Sequence, residues 1–327
     1  PSHVFTLRRA QRFLLPGKSA SSEKGLSQMT TTSGPIVPII RGVQSSDERA
    51  TRDYTKGVLP FLPSEVEDFE TEATRFANGE WDSEDRFIMY RLVRGVYGQR
   101  QPDVQMIRVK LPFGGIAPDQ FDTFAEIAEK YAPLKKGHIT TRQNVQFHFI
   151  PLLEAAEALR VLGDSGLSSR EACGNTVRNV TCDPFAGVDP DEAFDPTPYV
   201  GAVVRYFVRA KLIQSLPRKF KLAFSSTDED RAVTGIHDLG FIPRIQNEQK
   251  GFEISTGGGT SILPRVGREL YDFVSVNEYL KVVEAVIRIF DRQDELRKNR
   301  ARARIKFFID RIGLDAFREL VDAEMQG

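Results

Sequence analysis

The chain has 327 residues, 40% of them hydrophobic and 28% charged, with 45 basic and 45 acidic side chains. Length and composition are typical of one large or two ordinary globular domains. The balanced charge excludes a global basic field that would attract nucleic acid, and no apolar run approaches the roughly 20 residues of a membrane span. We therefore expect a globular protein with neither a nucleic-acid partner nor a membrane segment.

The first 55 residues differ in composition from the rest. Basic residues occur without acidic ones as far as Ser22, and Ser, Thr, Gly and Pro then dominate as far as Pro38. Such a composition is typical of a disordered tail and also of a transit peptide. The expected location is the cytoplasm in the first case and an organelle in the second.

Residues 56–165 carry the pattern of a ferredoxin-like half domain preceded by an N-terminal extension. The extension contains a helix within residues 61–81, with Ser64 as N-cap and Glu67 at the capping-box position. A β-α-β-α unit follows. It comprises strand 104–111, helix 118–131, strand 137–150 and helix 152–162.

The strand over 137–150 divides into two faces with a period of two. One face is mostly apolar and includes Phe147 and Phe149. The other is an unbroken polar row of His138, Thr140, Arg142, Asn144, Gln146 and His148. Such a face either contacts water or lines a large, polar, anionic ligand.

Residues 166–327 predict a second α+β domain. An acidic, Pro-containing linker over 185–196 leads to a helix near Pro198, and a strand containing Lys219 and Lys221 follows. Another strand begins at Gly251 and runs into three consecutive glycines. The remaining predicted helices cover 276–290, 299–311 and 314–324.

Basic and polar side chains recur at i and i+2 on separate strands, hence on one face of each. The pairs are Arg108 with Lys110, Arg142 with Asn144, and Lys219 with Lys221, and Arg178 adds a fourth position. Buried like charges repel and lose hydration, and a bound polyanion removes that cost. Alternatively, each pair lies on a separate wet surface.

Two further features bear on binding. The glycines Gly257, Gly258 and Gly259 permit close backbone approach and offer N–H donors to a ligand, although a flexible turn would also account for them. His148 has no second histidine or carboxylate at metal-ligand spacing, so we predict hydrogen bonding and no metal site.

Five segments together resemble the amino-terminal half of the sirohaem-containing nitrite and sulfite reductases, from about Tyr90 to the end of the chain. They are MIRVKLPFGG, GHITTRQNVQFHFI, GNTVRNVTCDP, LPRKFKLAF and the later GGG. The resemblance implies a six-electron reduction of sulfite to sulfide or of nitrite to ammonia. It also implies sirohaem bridged to a [4Fe–4S] cluster, and an electron donor such as ferredoxin or a flavoprotein.

Motif positions in this family imply roles for residues of the chain. The resemblance makes Arg108, Arg178, Lys219 and Lys221 catalytic residues that bind the substrate oxyanion and relay protons. It implies that sirohaem is contacted by Lys110, Arg142, Asn144, Gln146, His148, Asn179, Gly257, Gly258 and Gly259.

The chain departs from the family in its cysteines. Cys173 and Cys182 are its only cysteines, they lack CxxC spacing, and they resemble non-ligand cysteines of the first half. We expect a reducing compartment, cluster thiolates supplied by a C-terminal half in the same or another polypeptide, and no activity of this chain alone. The alternatives are a tetrapyrrole-binding remnant without catalysis and a module that binds RNA or another polyanion. RNA-binding sheets stack bases on exposed aromatic residues, whereas Phe147 and Phe149 fall opposite Arg142.

Overall fold

The computed structural model describes Leu59 and residues 61–326, together with the short strand Val4–Phe5. Apart from that strand, the predicted tail over 1–55 lies outside the described residues. Among the described helices, none has the length and apolarity needed to cross a membrane.

Strands and helices alternate along the described chain. The strands are β1 (Val4–Phe5), β2 (Val96–Gly98), β3 (Val104–Val109), β4 (Gly137–Ile139), β5 (Val145–Pro151), β6 (Thr181–Cys182), β7 (Leu222–Phe224), β8 (Leu239–Gln246), β9 (Gln249–Thr256) and β10 (Arg268–Ser275). The helices are α1 (Pro63–Ala77), α2 (Glu84–Val93), α3 (Pro118–Lys130), α4 (Ala155–Asp164), α5 (Thr197–Phe207), α6 (Tyr279–Asp291), α7 (Asp294–Arg297), α8 (Ile305–Ile312) and α9 (Leu314–Gln326).

The first sheet has the strand order β1-β4-β5-β3-β2, and all its neighbouring strands are antiparallel. Its apolar face is covered by helices: the rings of Phe124 on α3 and Phe147 on β5 are 5.8 Å apart, and both side chains are fully buried. Ile107 on β3 belongs to the same core. Because side chains alternate along a strand, Arg108 and Gln146 lie on the opposite face.

The continuous strand predicted over 137–150 is wrong. It is a hairpin in which β4 and β5 pair through Ile139 and Val145, with a turn between them. The Thr140 hydroxyl accepts the backbone N–H groups of Arg142 and Asn144 at 3.3 and 3.2 Å, and Gln143 adopts a positive φ of 54°. These local bonds close the turn, so the polar row folds back instead of extending along one strand.

Two helix predictions also need correction. Helix α1 begins at Pro63 after Leu62, without a side-chain cap, so the Ser64–Glu67 capping box does not form. Proline suits the first helical position because its missing N–H has no intrahelical partner there. The predicted helix over 299–311 is divided into a 3₁₀ turn, Arg300–Arg302, and α8.

The second sheet has the order β10-β9-β8-β7-β6 and is mixed. Strands β8 to β10 are antiparallel neighbours, whereas β6, β7 and β8 are parallel. Its core is aromatic: the rings of Phe224 and Phe241 stack at 4.2 Å, and Phe252 and Tyr279 pack nearby at 5.4 Å from each other. The predicted α+β class, a ferredoxin-like half domain followed by a second α+β unit, is confirmed. The predicted boundary at residue 166 stays a prediction.

The turn between β4 and β5 docks on the second sheet. The Gln143 side chain donates to the Cys182 carbonyl at 2.7 Å and accepts the Cys182 N–H at 3.0 Å. A further bond joins the Phe113 N–H to the Val180 carbonyl at 3.0 Å. These contacts hold the polar side of the first sheet close to β6 and β7.

Candidate functional site

Two arginines from different parts of the chain meet at one carbonyl group. The guanidinium of Arg108, on β3, donates to the Ala172 carbonyl at 3.2 Å, and that of Arg178 donates to the same oxygen at 3.1 Å. Arg178 also donates to the Gly174 carbonyl at 3.0 Å. Two like charges therefore converge on a backbone dipole, with no carboxylate paired to either among the described residues.

Arg142 lies at the tip of the hairpin turn and reaches across to the second sheet. One amino group donates to the carbonyls of Asn179 and Leu222, the latter at 3.3 Å. The Nε and the other amino group are buried without a hydrogen-bond partner. Desolvation and nearby cations lower the pKa of Arg142, and Asp238 opposes that effect.

Lys219 and Lys221 flank Phe220 immediately before β7, so the strand predicted to contain both lysines begins only at Leu222. In the described part of the chain, neither ammonium group has a hydrogen-bond acceptor or an ion-pair partner. Burial is the main cause that lowers the pKa of Lys219 to about 8, and Arg178 adds to it. Burial likewise lowers the pKa of Lys221 to about 7, with Arg142 adding to it. Both lysines therefore titrate close to neutral pH.

Asp238 and Arg304 complete this cluster, and the sequence analysis missed both. The buried carboxylate accepts two bonds from the Arg304 guanidinium at 2.9 and 2.6 Å, and it accepts the Lys221 N–H at 2.7 Å. Asp238 is the carboxylate that acts on both Arg142 and Lys221. We name Arg108, Arg142, Arg178, Lys219, Lys221 and Arg304 the cationic cluster.

A polar row on the first sheet extends from this cluster. Gln146 on β5 lies between Arg108 on β3 and His138 on β4 in the strand register. Its side-chain oxygen accepts two bonds from Arg108 at 2.8 and 2.5 Å, and its amide nitrogen lies 3.2 Å from Nε2 of His148. Gln146 and His148 are therefore placed beside the cluster.

Lys110 differs from the other predicted ligand-binding cations, because its charge is paired with a carboxylate of the protein. It is 2% exposed, and its ammonium lies 3.5 Å from the carboxylate of Glu171, which is fully buried. The protein itself thus compensates this charge. The predicted pair of Arg108 and Lys110 does not form one ligand-facing surface.

The two predicted asparagines are buried and bond to backbone groups. Asn144 accepts the Leu111 N–H at 3.4 Å, and Asn179 donates to the Leu111 carbonyl at 2.6 Å and to the Arg142 carbonyl at 3.1 Å. The side-chain oxygen of Asn179 has no partner. Asn144 therefore fixes the turn to the segment after β3, whereas Asn179, next to β6, joins the turn to the second sheet and keeps a buried oxygen without a partner.

The prediction that the three glycines offer bare N–H groups is wrong for two of them. The N–H of Gly257 bonds the Asp238 carbonyl at 3.2 Å, and that of Gly259 bonds the Arg265 carbonyl at 2.9 Å. At Gly258, a side chain would come within 2.3 Å of the Gly235 carbonyl oxygen. Close packing of the protein on itself accounts for Gly258.

The two cysteines are both buried, and each has different neighbours. Cys173 lies beside Arg108, whose guanidinium is 3.5 Å from the sulfur, and Cys182 belongs to the core of the second sheet. Burial raises the pKa of both thiols. No group of three or more metal-ligating side chains occurs among the described residues.

The arrangement fits a buried anionic ligand with several negative groups. Unpartnered lysines, buried unsatisfied atoms of Arg142 and a single carboxylate cannot be explained by the internal contacts of this part of the chain. A polycarboxylate such as sirohaem, together with a small oxyanion, would supply the missing acceptors. By contrast, two cysteines do not fit a [4Fe–4S] cluster, which takes four thiolates.

Comparisons with known proteins identify two family models in the chain. The sequence model of the nitrite/sulfite reductase ferredoxin-like half domain matches residues 97–164, and that of the nitrite and sulphite reductase 4Fe-4S domain matches residues 173–327. Together the two models match more than half of the chain.

Individual relatives come from distant organisms. The chain is 34% identical to a sulfite reductase [ferredoxin] of Mycobacterium tuberculosis over 67% of this chain and 39% of that protein. It is 32% identical to an assimilatory ferredoxin-dependent nitrite reductase of Haloferax mediterranei over 74% of this chain and 44% of that protein. The chain thus spans less than half the length of these relatives.

A solved structure shows the same fold. The NirA protein of Mycobacterium tuberculosis superposes with a TM-score of 0.67 and 30% identity, over 72% of this chain and 46% of that one. Motifs, fold and relatives agree, and the chain belongs to the nitrite and sulfite reductase family.

Proposed function

We propose that this chain forms the substrate pocket and part of the cofactor cradle of a sirohaem-dependent reductase of sulfite or nitrite, as the amino-terminal half of the enzyme. The observation that carries the proposal is the cationic cluster. Its members come from both parts of the chain, and its two lysines have no partner among the described residues. Such a cluster is costly without an anion and stable with one.

The cluster divides into clamping and proton-donating groups. Arg108 and Arg178 carry planar guanidinium groups that hold the oxyanion through fixed N–H donors. Lys219 and Lys221, with pKa values lowered to about 8 and about 7, give up protons readily near neutral pH. Reduction of nitrite or sulfite releases oxygen atoms as water, so it consumes protons at this position.

The cofactor contacts follow from the unsatisfied atoms. Arg142 presents two buried donor groups without partners, and Asn179 presents a buried oxygen. We assign Arg142 to the carboxylates of sirohaem on the basis of these atoms, and Gln146 and His148 on the basis of their motif positions and their place beside the cationic cluster. When bound, the sirohaem iron would supply electrons to the substrate.

The cluster thiolates and the electron donor belong to protein outside the printed chain. Two cysteines cannot complete a [4Fe–4S] site, although both lie in the segment that matches the 4Fe-4S domain. Ferredoxin is the donor named for the relatives, and we propose it here. That this chain is inactive without a second half stays a prediction.

The test uses the intact protein, which means this chain together with the proposed second half, and three lysine variants of it. Lys219→Met and Lys221→Met should each lower nitrite- and sulfite-dependent oxidation of a reduced dye by about 100-fold or more, the size expected for loss of one electrostatic donor. Lys211→Met, at an exposed position, is the matched control and should have parent activity. Equal activity of the parent and the three variants would refute the assignment of Lys219 and Lys221 to the substrate pocket.

The visible spectrum separates the remaining alternatives. A sirohaem spectrum with turnover supports the reductase, whereas colour without turnover favours a tetrapyrrole-binding remnant. A colourless intact protein would favour a polyanion-binding module. For RNA, the burial of Phe147 argues against base stacking on the first sheet.

A further inference from the structure

The hydrogen bonds between Arg108, Gln146 and His148 have only one consistent direction. A guanidinium has donors and no acceptor, so the Gln146 atom that receives its two bonds at 2.8 and 2.5 Å must be the oxygen. The amide NH₂ of Gln146 therefore faces the other way, toward Nε2 of His148 at 3.2 Å. Because the amide donates, Nε2 of His148 must accept.

This direction fixes the protonation state of His148. An imidazole nitrogen accepts a hydrogen bond only when it carries no proton, so the ring is neutral and its hydrogen is on Nδ1. We propose that His148 is a positioning residue for Arg108, which it holds in place through Gln146 only while its imidazole is neutral. The consequence for the reaction rests on the proposed function, since it assumes that Arg108 binds the oxyanion.

The surroundings of His148 support the neutral form. The ring is half-buried, His138 on β4 faces it with ring centroids 5.7 Å apart, and Arg108 on β3 is the nearest permanent cation. The other neighbouring ring, Phe149, is uncharged. Burial, His138 and Arg108 all lower the pKa of His148. Among the described residues, no carboxylate pairs with either histidine.

Protonation of His148 would place two donors against each other. A proton on Nε2 faces the Gln146 amide hydrogens, and rotating that amide would turn its hydrogens toward the guanidinium of Arg108 instead. In either case one bond of the row is lost. The Gln146 side chain then positions Arg108 less firmly, although the bond from Arg108 to the Ala172 carbonyl remains. Simple electrostatics predicts the opposite result, because an added positive charge should strengthen anion binding. The two explanations therefore predict opposite changes in anion affinity when His148 is protonated.

The experiment measures nitrite affinity of the intact protein between pH 8 and pH 5.5 by calorimetry, because nitrite stays an anion over this range. Nitrite binding should strengthen as Lys219 and Lys221 protonate, and then weaken about tenfold as His148 protonates, the effect of losing one charge-assisted bond. His148→Gln keeps an acceptor near the position of Nε2 and cannot titrate, so its affinity should not fall at acid pH. His138→Gln is the matched control and should retain the fall.

A second readout does not depend on nitrite. Infrared difference spectra of the intact protein labelled with ¹³C-histidine, with the His148→Gln spectrum subtracted, should show an Nδ1–H imidazole at pH 7.5. An Nε2–H ring, a charged ring, or a fall in affinity that persists in His148→Gln would overturn the proposal. If the Nδ1–H ring is found but nitrite does not bind at any pH, the proposed function fails while the hydrogen-bond direction stands.

Discussion

At the scale of single residues, the site is defined by charges that the described protein leaves uncompensated. Lys110 has Glu171 and Arg304 has Asp238, whereas Lys219 and Lys221 have no such partner. Burial is the main cause that lowers the pKa of Lys221 to about 7 from an ordinary 10.5, and nearby cations add to it. Holding its charge in the anion-free protein costs stability.

Removing that charge should stabilise the anion-free protein. Between pH 7 and about pH 10 the unfolded chain binds more protons at Lys221 than the folded one, so the free energy of unfolding rises with pH in this window. Lys221→Met should raise the free energy of unfolding at pH 7 by roughly 2–4 kcal/mol and flatten the rise. Urea unfolding at pH 7, 8 and 9, with Lys211→Met as control, measures both. A less stable Lys221→Met protein at pH 7 would contradict the argument.

Asp238 should be the most sensitive carboxylate of the site. Asp238→Asn leaves the buried Arg304 guanidinium without a counter-charge, and loss of one partner of a buried pair costs about 3–5 kcal/mol. Asp310→Asn is the control: it removes the partner of Arg265 in an ion pair at 3.4 Å whose side chains are 45% and 38% exposed, and such pairs contribute about 1 kcal/mol or less. The two variants should therefore differ clearly in urea midpoint, and equal midpoints would show that Asp238 is not the counter-charge of Arg304.

At the scale of elements, the sequence shows which side chains share a face but not where a strand turns back. Residues 140–144 are all polar, so the alternation of polar and apolar residues is interrupted there, and this interruption is compatible with a turn as well as with a strand that is polar on both faces. The turn depends on a hydroxyl that accepts two N–H groups and on a positive φ at Gln143. Asp238 and Arg304 were missed because their pairing joins segments 66 residues apart.

The turn between β4 and β5 should stabilise the contact between the two sheets. Gln143→Ala removes both bonds to the Cys182 peptide and leaves a buried N–H and carbonyl unpaired, which costs about 2–4 kcal/mol. Thr141→Ala, at the exposed neighbouring position, should change stability by less than about 0.5 kcal/mol. Amide hydrogen exchange at Cys182 checks the mechanism, since it should speed up in Gln143→Ala and not in Thr141→Ala. Unchanged exchange at Cys182 in Gln143→Ala would show that the turn does not stabilise the contact between the sheets.

Adjacent glycines in one segment should respond differently to substitution. Gly258→Ala places a carbon 2.3 Å from the Gly235 carbonyl oxygen, a clash between backbone segments that should cost about 1–3 kcal/mol. At Gly259 the atoms nearest to an added carbon belong to the Lys306 side chain at 3.5 Å, an ordinary van der Waals contact, so Gly259→Ala should be tolerated. Thermal melting of both variants tests this. If Gly259→Ala also lost sirohaem absorbance, the glycine would be needed for approach to the cofactor and not for packing.

At the scale of the whole molecule, the site exists because two sheets contribute to it. Arg108 and Arg142 come from the first sheet, and Lys219 and Lys221 come from the segment immediately before β7. The Ala172 carbonyl joins Arg108 to Arg178. Neither unit alone would assemble the cationic cluster. The motifs of both units were recognisable in the sequence, but their convergence follows from the docked hairpin turn and could be seen only in the structure.

Whether either cysteine of this chain is a ligand of the [4Fe–4S] cluster can be tested by substitution, and the proposed function predicts that neither is. Cys173 and Cys182 are buried in different surroundings, and two cysteines cannot supply the four thiolates of a [4Fe–4S] cluster. The double variant Cys173→Ala/Cys182→Ala of the intact protein should therefore keep its full content of iron and acid-labile sulfide. Each single variant serves as a control for local packing, which Cys182→Ala should weaken by about 1–2 kcal/mol. Loss of iron and sulfide from a variant that remains folded would identify a ligand within the chain.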